Sequence, residues 1–369
     1  MGGLPSGVSH HHLRQMQGRD PNEAHRVATP LEQLFDLTFA TCFSLAAAQL
    51  AAALSEGHYA AGVLGFGFAS FAICWAWINF SWFASAYDTD DWIFRLVTLG
   101  QMVGVLVLAI GLPRMFRSIE RGEHLDNSVM VLGYVIMRVA LVFQWLRAAR
   151  EDPARRRASL SYAITIAIAQ IGWVVLIAVH LSTAAAFALG SVLALIELMG
   201  PVLAERQDGG TPWHAHHIAE RHSLFAIIAL GEGIVGTVAA LSAAVELQGW
   251  TWDTALVGIA GTGLIFGMWW LYDLLPSAQI LEQHRDRAYV WAVGQILIVT
   301  AIVATGAGLH VAAHGIAHQS RIGTLATVLS VAVPVGAFLG LVFALYYYLV
   351  RRFNLFHPLF SQKRADLSS

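Results

Sequence analysis

The ionisable side chains inside long apolar runs are the first candidates for chemistry. A charge at the middle of a bilayer costs roughly 2.5–3.5 kcal/mol on insertion scales. Glu232 lies in such a run, among the three glycines of the segment 230–236, and it follows His222 by ten residues. That separation is about 15 Å along a helix, which places Glu232 near the membrane midplane. Its carboxylate is either a binding site for a proton or another cation, or a structural partner of Arg138.

A second acidic set begins the first apolar run. Glu32 and Asp36 are four residues apart and share one helix face. Glu32 also suits the positive end of the helix dipole. Asp36 lies one turn deeper and needs a cation, for which we expect Arg95 at a matching depth in the third run. The charge set expected to support this site is completed by Asp273, Glu220, Arg221 and His222.

Two further ionisable residues lie in the middle third of apolar runs, Arg138 and Glu197. Because an unpaired buried charge is so costly, we expect Arg138 to contact Glu197 or Glu232. We therefore take Glu232, Asp36, Arg138 and Glu197 as the candidate pathway or binding residues.

Three aspartates lie in the loop 87–92. They either attract cations at a pathway mouth or cap the helix that follows. The second interpretation is favoured, with Asp90 or Asp91 as the N-cap.

Histidines recur at two places. Residues 214–222 hold four of them, and His310, His314 and His318 are spaced so that they share one helix face. The second set either binds a transition metal or forms a polar face at the membrane interface. No carboxylate or cysteine completes either set in the sequence, so we predict neither a metal site nor a cofactor.

The amino-acid composition indicates that these residues lie on helices within a membrane. Only 12% of the 369 residues are charged, 57% are hydrophobic, and the mean hydropathy is +0.59, whereas soluble domains carry about 25% charged residues. Ten runs are long enough to span a bilayer, so the predicted fold is an all-α transmembrane bundle. The predicted spans are 30–53, 60–84, 91–112, 127–147, 160–181, 183–203, 219–245, 253–275, 287–309 and 323–350.

The distribution of charge predicts an orientation. If the N-terminus is cytoplasmic, sixteen of the 22 lysines and arginines fall on the cytoplasmic side, four fall outside, and two lie within spans. Cationic loops resist translocation. We therefore predict an inner-membrane protein with both termini in the cytoplasm, a flexible N-terminal tail over 1–26, a membrane domain over 27–352, and a C-terminal tail over 353–369.

Similar residue patterns also recur along the chain. Trp75, Trp77 and Asn79 in the second run are echoed by Trp269, Trp270 and Asp273 in the eighth. The offset spans six helices, so the two halves would share one orientation, as in parallel carrier repeats. We predict repeat A over 27–150, two linking helices over 158–205, and repeat B over 214–352.

Two segments carry a family resemblance. Residues 28–39 (ATPLEQLFDLTF) and 220–232 (ERHSLFAIIALGE) resemble motifs of the bacterial low temperature requirement A family, and the resemblance extends over roughly residues 26–350. This family usually has an aromatic residue where Leu34 stands. The resemblance implies a multi-spanning membrane protein associated by name with growth in the cold, and it brings no established reaction. The positions it marks are Glu32, Phe35, Asp36, Glu220, Arg221 and Glu232.

Three functions remain open on the sequence. The leading hypothesis is a secondary carrier or ion-translocating protein that uses intramembrane carboxylates, with a proton or a small solute as its cargo. The alternatives are a non-transporting membrane factor that supports the envelope or growth in the cold, and an intramembrane lipid-modifying enzyme. No soluble-enzyme motif is present, so we predict no enzymatic activity of that kind. The near-neutral net charge of −2 excludes a nucleic-acid partner, and membrane lipids are the expected surroundings.

Overall fold

The computed structural model describes residues 13–21, 23, 26–122, 124–179 and 181–350. The predicted C-terminal tail and the first twelve residues lie outside this part of the chain. Eleven α-helices form within it, and ten helical segments are long and apolar enough to cross a membrane. The helices are α1 (Pro30–Glu56), α2 (Tyr59–Tyr87), α3 (Trp92–Arg121), α4 (Ser128–Glu151), α5 (Arg156–Ala178), α6 (Thr183–Ala204), α7 (Ala215–Gln248), α8 (Trp252–Asp273), α9 (Ser277–Gln283), α10 (Ala288–Ile316) and α11 (Thr324–Val350).

The prediction of an all-α membrane bundle with ten spans is confirmed for the described residues. The described residues that precede α1, the start of α1 and the end of α2 lie on one side of the bundle, here called the N-terminal side. Successive spans run in opposite directions, so the entrance of α7 and the end of α11 lie on this side too. The opposite side is called the far side.

Local signals set the helix ends. The side chain of Thr29 accepts a hydrogen bond from the backbone of Glu32, whose carboxylate in turn accepts one from the Thr29 backbone, so the two form a capping box. Gly57 ends α1 in the left-handed conformation. Asp91 is the N-cap of α3 and accepts from Phe94 N. The prediction that Asp90 or Asp91 caps this helix is therefore confirmed for Asp91.

The helices differ in how deeply they are buried. α2 and α10 lie at the centre of the bundle, whereas α6, α8 and α11 expose most of their surface. α3 packs on α4, and α7 packs on α10. Glycines permit this close approach: a Cβ at Gly306 of α10 would lie 2.8 Å from the Cβ of Glu232 on α7.

The neighbour relations inside the two predicted repeats are alike. α1 contacts α2 and α3, as α7 contacts α8 and α10, and the α3–α4 pair corresponds to the α10–α11 pair. The environments differ, because α2 is central and its counterpart α8 is peripheral. The internal repeat therefore stays a prediction.

Part of the predicted N-terminal tail packs on the bundle. Met16 is fully buried. Arg19 N donates to Ala86 O at the end of α2 (2.9 Å), and Gly18 N donates to the carboxylate of Asp152 after α4 (3.2 Å). Residues 13–21 thus connect the ends of α2 and α4 on the N-terminal side.

Candidate functional site

A fully buried charge cluster joins α1 to α7 near the N-terminal side. Arg221 donates from Nε to Asp36 Oδ2 (3.0 Å) and from Nη2 to Asp36 Oδ1. Its Nη1 donates to Glu32 Oε1 at 2.9 Å. We call Glu32, Asp36, His217 and Arg221 the Arg221 cluster, whose side chains are at most 1% exposed. One guanidinium therefore bridges both acidic residues of the first motif.

Neighbouring rings complete the Arg221 cluster. Trp77 Nε1 donates to Asp36 Oδ1 at 2.6 Å, and His217 Nε2 lies 3.2 Å from Glu32 Oε2. The Arg221 guanidinium lies 5.5 Å from the centre of the Trp77 ring, within cation–π range. His222 packs between the rings of Trp77 and Trp291, and its Nδ1 lies 2.8 Å from Ile218 O.

The Arg221 cluster corrects one prediction. Asp36 pairs with Arg221, not with Arg95, which is exposed and pairs with Asp90 at 2.8 Å. Both arginines lie at a similar depth, but only Arg221 lies on the helix face that meets α1.

Two other residues predicted to support this cluster lie apart from it. Asp273 is exposed at the end of α8. Glu220 is half-buried, and its carboxylate accepts from Ala28 N at 3.5 Å.

A second buried ion pair joins α4 to α6. Arg138 Nη2 donates to Glu197 Oε2, and both side chains are 1% exposed. The expected contact of Arg138 with Glu197 is therefore confirmed. Tyr134 OH also contacts Glu197 Oε2, while Trp173 Nε1 donates to Glu197 Oε1 at 2.8 Å and Gln170 Nε2 donates to it at 3.3 Å.

Glu232 stands apart from both clusters. It is 5% exposed, near the middle of α7, and its carboxylate accepts a hydrogen bond from Ser44 Oγ on the exposed face of α1. Within the described part of the chain, no arginine, lysine or histidine forms an ion pair with Glu232. The structural alternative, in which Arg138 neutralises Glu232, is wrong because Arg138 is paired with Glu197.

Two aspartates of the loop 87–92 lie in contrasting environments. Asp91 pairs with Arg147 at 2.6 Å, and although burial opposes its ionisation, hydrogen bonds from Arg147 and from the backbone lower the pKa of Asp91. Asp88 is buried, and burial together with the nearby Glu32 raises the pKa of Asp88 to about 6.

A cavity of about 680 Å³ opens between α2, α5, α6 and α10 at their ends on the N-terminal side. Five aromatic residues contribute to its wall, namely Trp75, Trp82, Tyr162, Trp213 and Tyr289. Glu205 in the wall is saturated with hydrogen bonds from neutral donors, which are Trp82, Tyr162 and Thr211.

This cavity continues towards the membrane interior. A crevice too narrow for a water molecule shares Trp75, Asn79 and Tyr162 with the cavity and reaches Glu197. Trp75 is 2% exposed, and its indole N–H has no hydrogen-bond partner among the described residues. Glu232 lines neither space. The cavity thus leads to a different intramembrane carboxylate from the one the sequence emphasised.

The histidines at the far side do not gather metal ligands. His314 Nδ1 lies 3.0 Å from Ser55 Oγ, and His310 is half-buried. No group of three or more histidines, cysteines and acidic residues is placed to hold a metal ion within the chain segments that the structure describes.

The sequence did not predict the neutral side chains that bind the carboxylates of the two buried ion pairs. Trp77, Tyr134 and Trp173 each donate a hydrogen bond to a buried carboxylate. Tryptophan N–H groups usually find a partner when buried, but the sequence does not show which partner.

The comparisons with known proteins give the family of this chain. The sequence model of the family described as bacterial low temperature requirement A protein (LtrA) matches residues 27–362. The chain belongs to this family. An uncharacterised protein of Rhizobium meliloti (strain 1021) is 26% identical to this LtrA family member over 323 residues, which cover 83% of this chain and 74% of the relative. No solved structure matches the chain.

Proposed function

We propose that this LtrA family protein is a secondary carrier or ion-translocating protein, in which Glu232 binds the translocated proton or small cation. The observation that carries the proposal is that Glu232 lacks an ion-pair partner within the described part of the chain. Glu32 and Asp36 share Arg221, and Glu197 has Arg138. Glu232 has the hydroxyl of Ser44.

A carboxylate held in this way is suited to exchange its cation. An ionised carboxylate near the membrane centre is costly, so a bound proton or cation must neutralise it. A hydroxyl partner can stabilise either state without fixing the charge, because Ser44 Oγ both donates and accepts. Ser44 is exposed on the surface of α1, so the Glu232 carboxylate that it contacts lies close to the outer surface of the bundle.

The cavity supports a route for a solute. Its volume of about 680 Å³ lies in the range of small-molecule sites. The narrow crevice between it and Glu197 resembles a closed gate, with Trp75 and Tyr162 at the constriction. Parallel repeats, which the sequence predicts, are also common in carriers.

One observation favours a second candidate function. The Arg221 cluster and the Arg138–Glu197 pair are sealed from solvent and paired, as expected of a non-transporting membrane factor whose charges hold helices together. The lipid-modifying enzyme has less support, because the His217–Glu32 pair is fully buried. We propose no enzymatic activity.

The membrane and the orientation are part of the proposal. We infer the inner membrane and a cytoplasmic location for the N-terminal side from the excess of cationic residues there. Reporter fusions after residue 12, within the loop 150–157 and after residue 360 should all report the cytoplasm. An outside signal at any of the three sites would overturn the orientation.

The experiment compares proton movement into proteoliposomes that contain a trapped pH dye and a potassium diffusion potential. We expect protein-dependent acidification with the wild-type chain and its loss in Glu232→Gln, which keeps size and hydrogen bonding but removes the proton site. Asp90→Asn is the matched control, because Asp90 is a half-exposed partner of the exposed Arg95, and ion pairs at the surface contribute little.

Two results would contradict the proposal. One is a Glu232→Gln variant that inserts normally and keeps the wild-type flux. The other is a Glu232→Gln variant that fails to accumulate while Asp90→Asn accumulates, since that would make Glu232 a structural residue.

A further inference from the structure

Asp88 is a buried carboxylate that the three charge sites do not include. It is the C-cap residue of α2 and is 9% exposed. Its Oδ1 accepts a hydrogen bond from Asp90 N at 2.9 Å. The other two aspartates of the loop are paired, Asp90 with Arg95 and Asp91 with Arg147. No ion pair to Asp88 forms among the residues that the structure describes.

The position of Asp88 at the end of α2 disfavours a negative charge, against the single backbone hydrogen bond from Asp90 N. The carboxyl end of a helix carries the negative pole of its dipole, and Asp88 lies at this end of α2. This dipole destabilises the ionised form of a carboxyl group there by some tenths of a kcal/mol, and burial destabilises it further.

Four charged side chains act electrostatically on Asp88. They are Arg26 from the N-terminal segment, Glu32 from α1, Asp90 from the loop and Arg95 from α3. Both cations have other partners, since Arg26 donates to Ala84 O at 2.7 Å and Arg95 is paired with Asp90. The surroundings of Asp88 therefore offset its charge only in part.

The buried charges around Asp88 and the Arg221 cluster do not balance. The carboxylates of Glu32, Asp36 and Asp88 stand against the guanidinium groups of Arg26 and Arg221. With a neutral His217, one negative charge is in excess. A single added proton makes this buried network neutral, and Asp88 is the one carboxylate of the three without an arginine paired to it.

We propose that Asp88 is a proton-binding site on the N-terminal side, which takes up one proton while the Arg221 cluster stays ionised. The effect of burial on the pKa of Asp88, which rises to about 6, agrees with this assignment. The site goes beyond the proposed function, because it lies at the end of α2 and not beside Glu232. Its proton exchanges with the compartment on that side, so its occupancy follows the pH there.

The test is infrared difference spectroscopy of the whole protein in lipid, with aspartate labelled by ¹³C at the side-chain carboxyl. The label separates protonated aspartic from glutamic acid, so Glu232 does not interfere. As the pH is lowered through about 6, we expect a carbonyl band of protonated aspartic acid that Asp88→Asn removes.

Two charge variants should move the midpoint of this band in opposite directions. Arg26→Gln removes a neighbouring positive charge, so Asp88 should bind its proton at higher pH. Asp90→Asn removes a neighbouring negative charge, so it should bind its proton at lower pH. A nonspecific destabilisation of the fold would not shift the midpoint upward in one variant and downward in the other. Asp90 is half-exposed, so this variant keeps the test valid even if Arg26→Gln does not fold.

The proposal is overturned if the folded wild type shows no Asp88-dependent band above about pH 5, which lies well above the ordinary range of aspartate. It is also overturned if Asp90→Asn leaves the midpoint unchanged or raises it. Glu232→Gln should leave the titration of Asp88 unaltered. A failure of the carrier proposal and a failure of this one therefore give different results.

Discussion

Arg221 donates from two nitrogens to the two carboxylate oxygens of Asp36, and it thereby ties α7 to α1. Two-point contacts of this kind fix geometry as well as charge. The same guanidinium holds Glu32, so one cation bridges two acidic residues, and the His217 ring lies against Glu32.

Loss of Arg221 should therefore be severe. Replacement by Met keeps apolar volume but leaves two buried carboxylates without a cation. Removal of one partner of a buried pair costs about 3–5 kcal/mol, so we expect Arg221→Met to be degraded or to aggregate. Immunoblots of membrane fractions measure its accumulation.

A lysine tests what the geometry contributes. Arg221→Lys keeps the charge but cannot bridge three carboxylate oxygens in one plane, so we expect intermediate accumulation. Equal accumulation of the Met variant and the wild type would show that the Arg221 cluster does not stabilise the fold.

The Arg138–Glu197 pair allows a double-mutant test. Glu197→Met or Arg138→Met alone leaves a buried charge unpaired, and each should destabilise the protein by about 3–5 kcal/mol. The double variant removes both charges and should recover most of the lost thermal stability in detergent. Additive losses in the double variant would mean that the two residues do not act as a pair.

Asp88 should make stability depend on pH. Burial raises the pKa of Asp88 from its model-peptide value of 3.8 to about 6, so the folded protein binds this proton more tightly than the unfolded chain does. This contribution to stability is fully present below the unfolded pKa and is lost as the pH rises through about 6.

The variant Asp88→Asn removes this dependence. We expect it to be more stable than the wild type above pH 6, by up to about 3 kcal/mol, and the difference should shrink as the pH is lowered towards 4. Thermal unfolding of both proteins across this range measures it. A stability difference that does not change with pH would contradict the assignment.

The sequence was sufficient for the number and order of the spans, because about 20 apolar residues in a row are the requirement for crossing a bilayer. It underestimated the length of several of them, α3 most of all. α3 was predicted to end at residue 112, yet it continues to Arg121. Its last turns bury Met115, Phe116 and Ile119 against the bundle among polar residues, so the average hydropathy falls although the helix continues.

The candidate site was predicted in part for a related reason. Position along a helix gives the depth of a charge, so Arg138 and Glu197 were correctly placed within reach of each other. Depth does not give the face of the helix or its neighbour. Arg95 and Arg221 both lie on helices that pack on α1, but Arg95 is on the exposed face of its helix and Arg221 is on the face that meets Asp36.

The proposed translocation depends on Glu232 having no ion-pair partner among the described residues, and reaction with a hydrophobic carbodiimide reports the state of this carboxyl group. This reagent enters from the lipid and modifies protonated carboxylic acids, whereas carboxylates held by arginine stay unreactive. We expect modification of Glu232 in membranes, located by mass spectrometry of peptides, weaker at higher pH and absent in Glu232→Gln. Asp36 and Glu197 should remain unmodified. Modification of Asp36 or Glu197 instead, or a Glu232 that does not react at any pH at which the protein stays folded, would contradict the account.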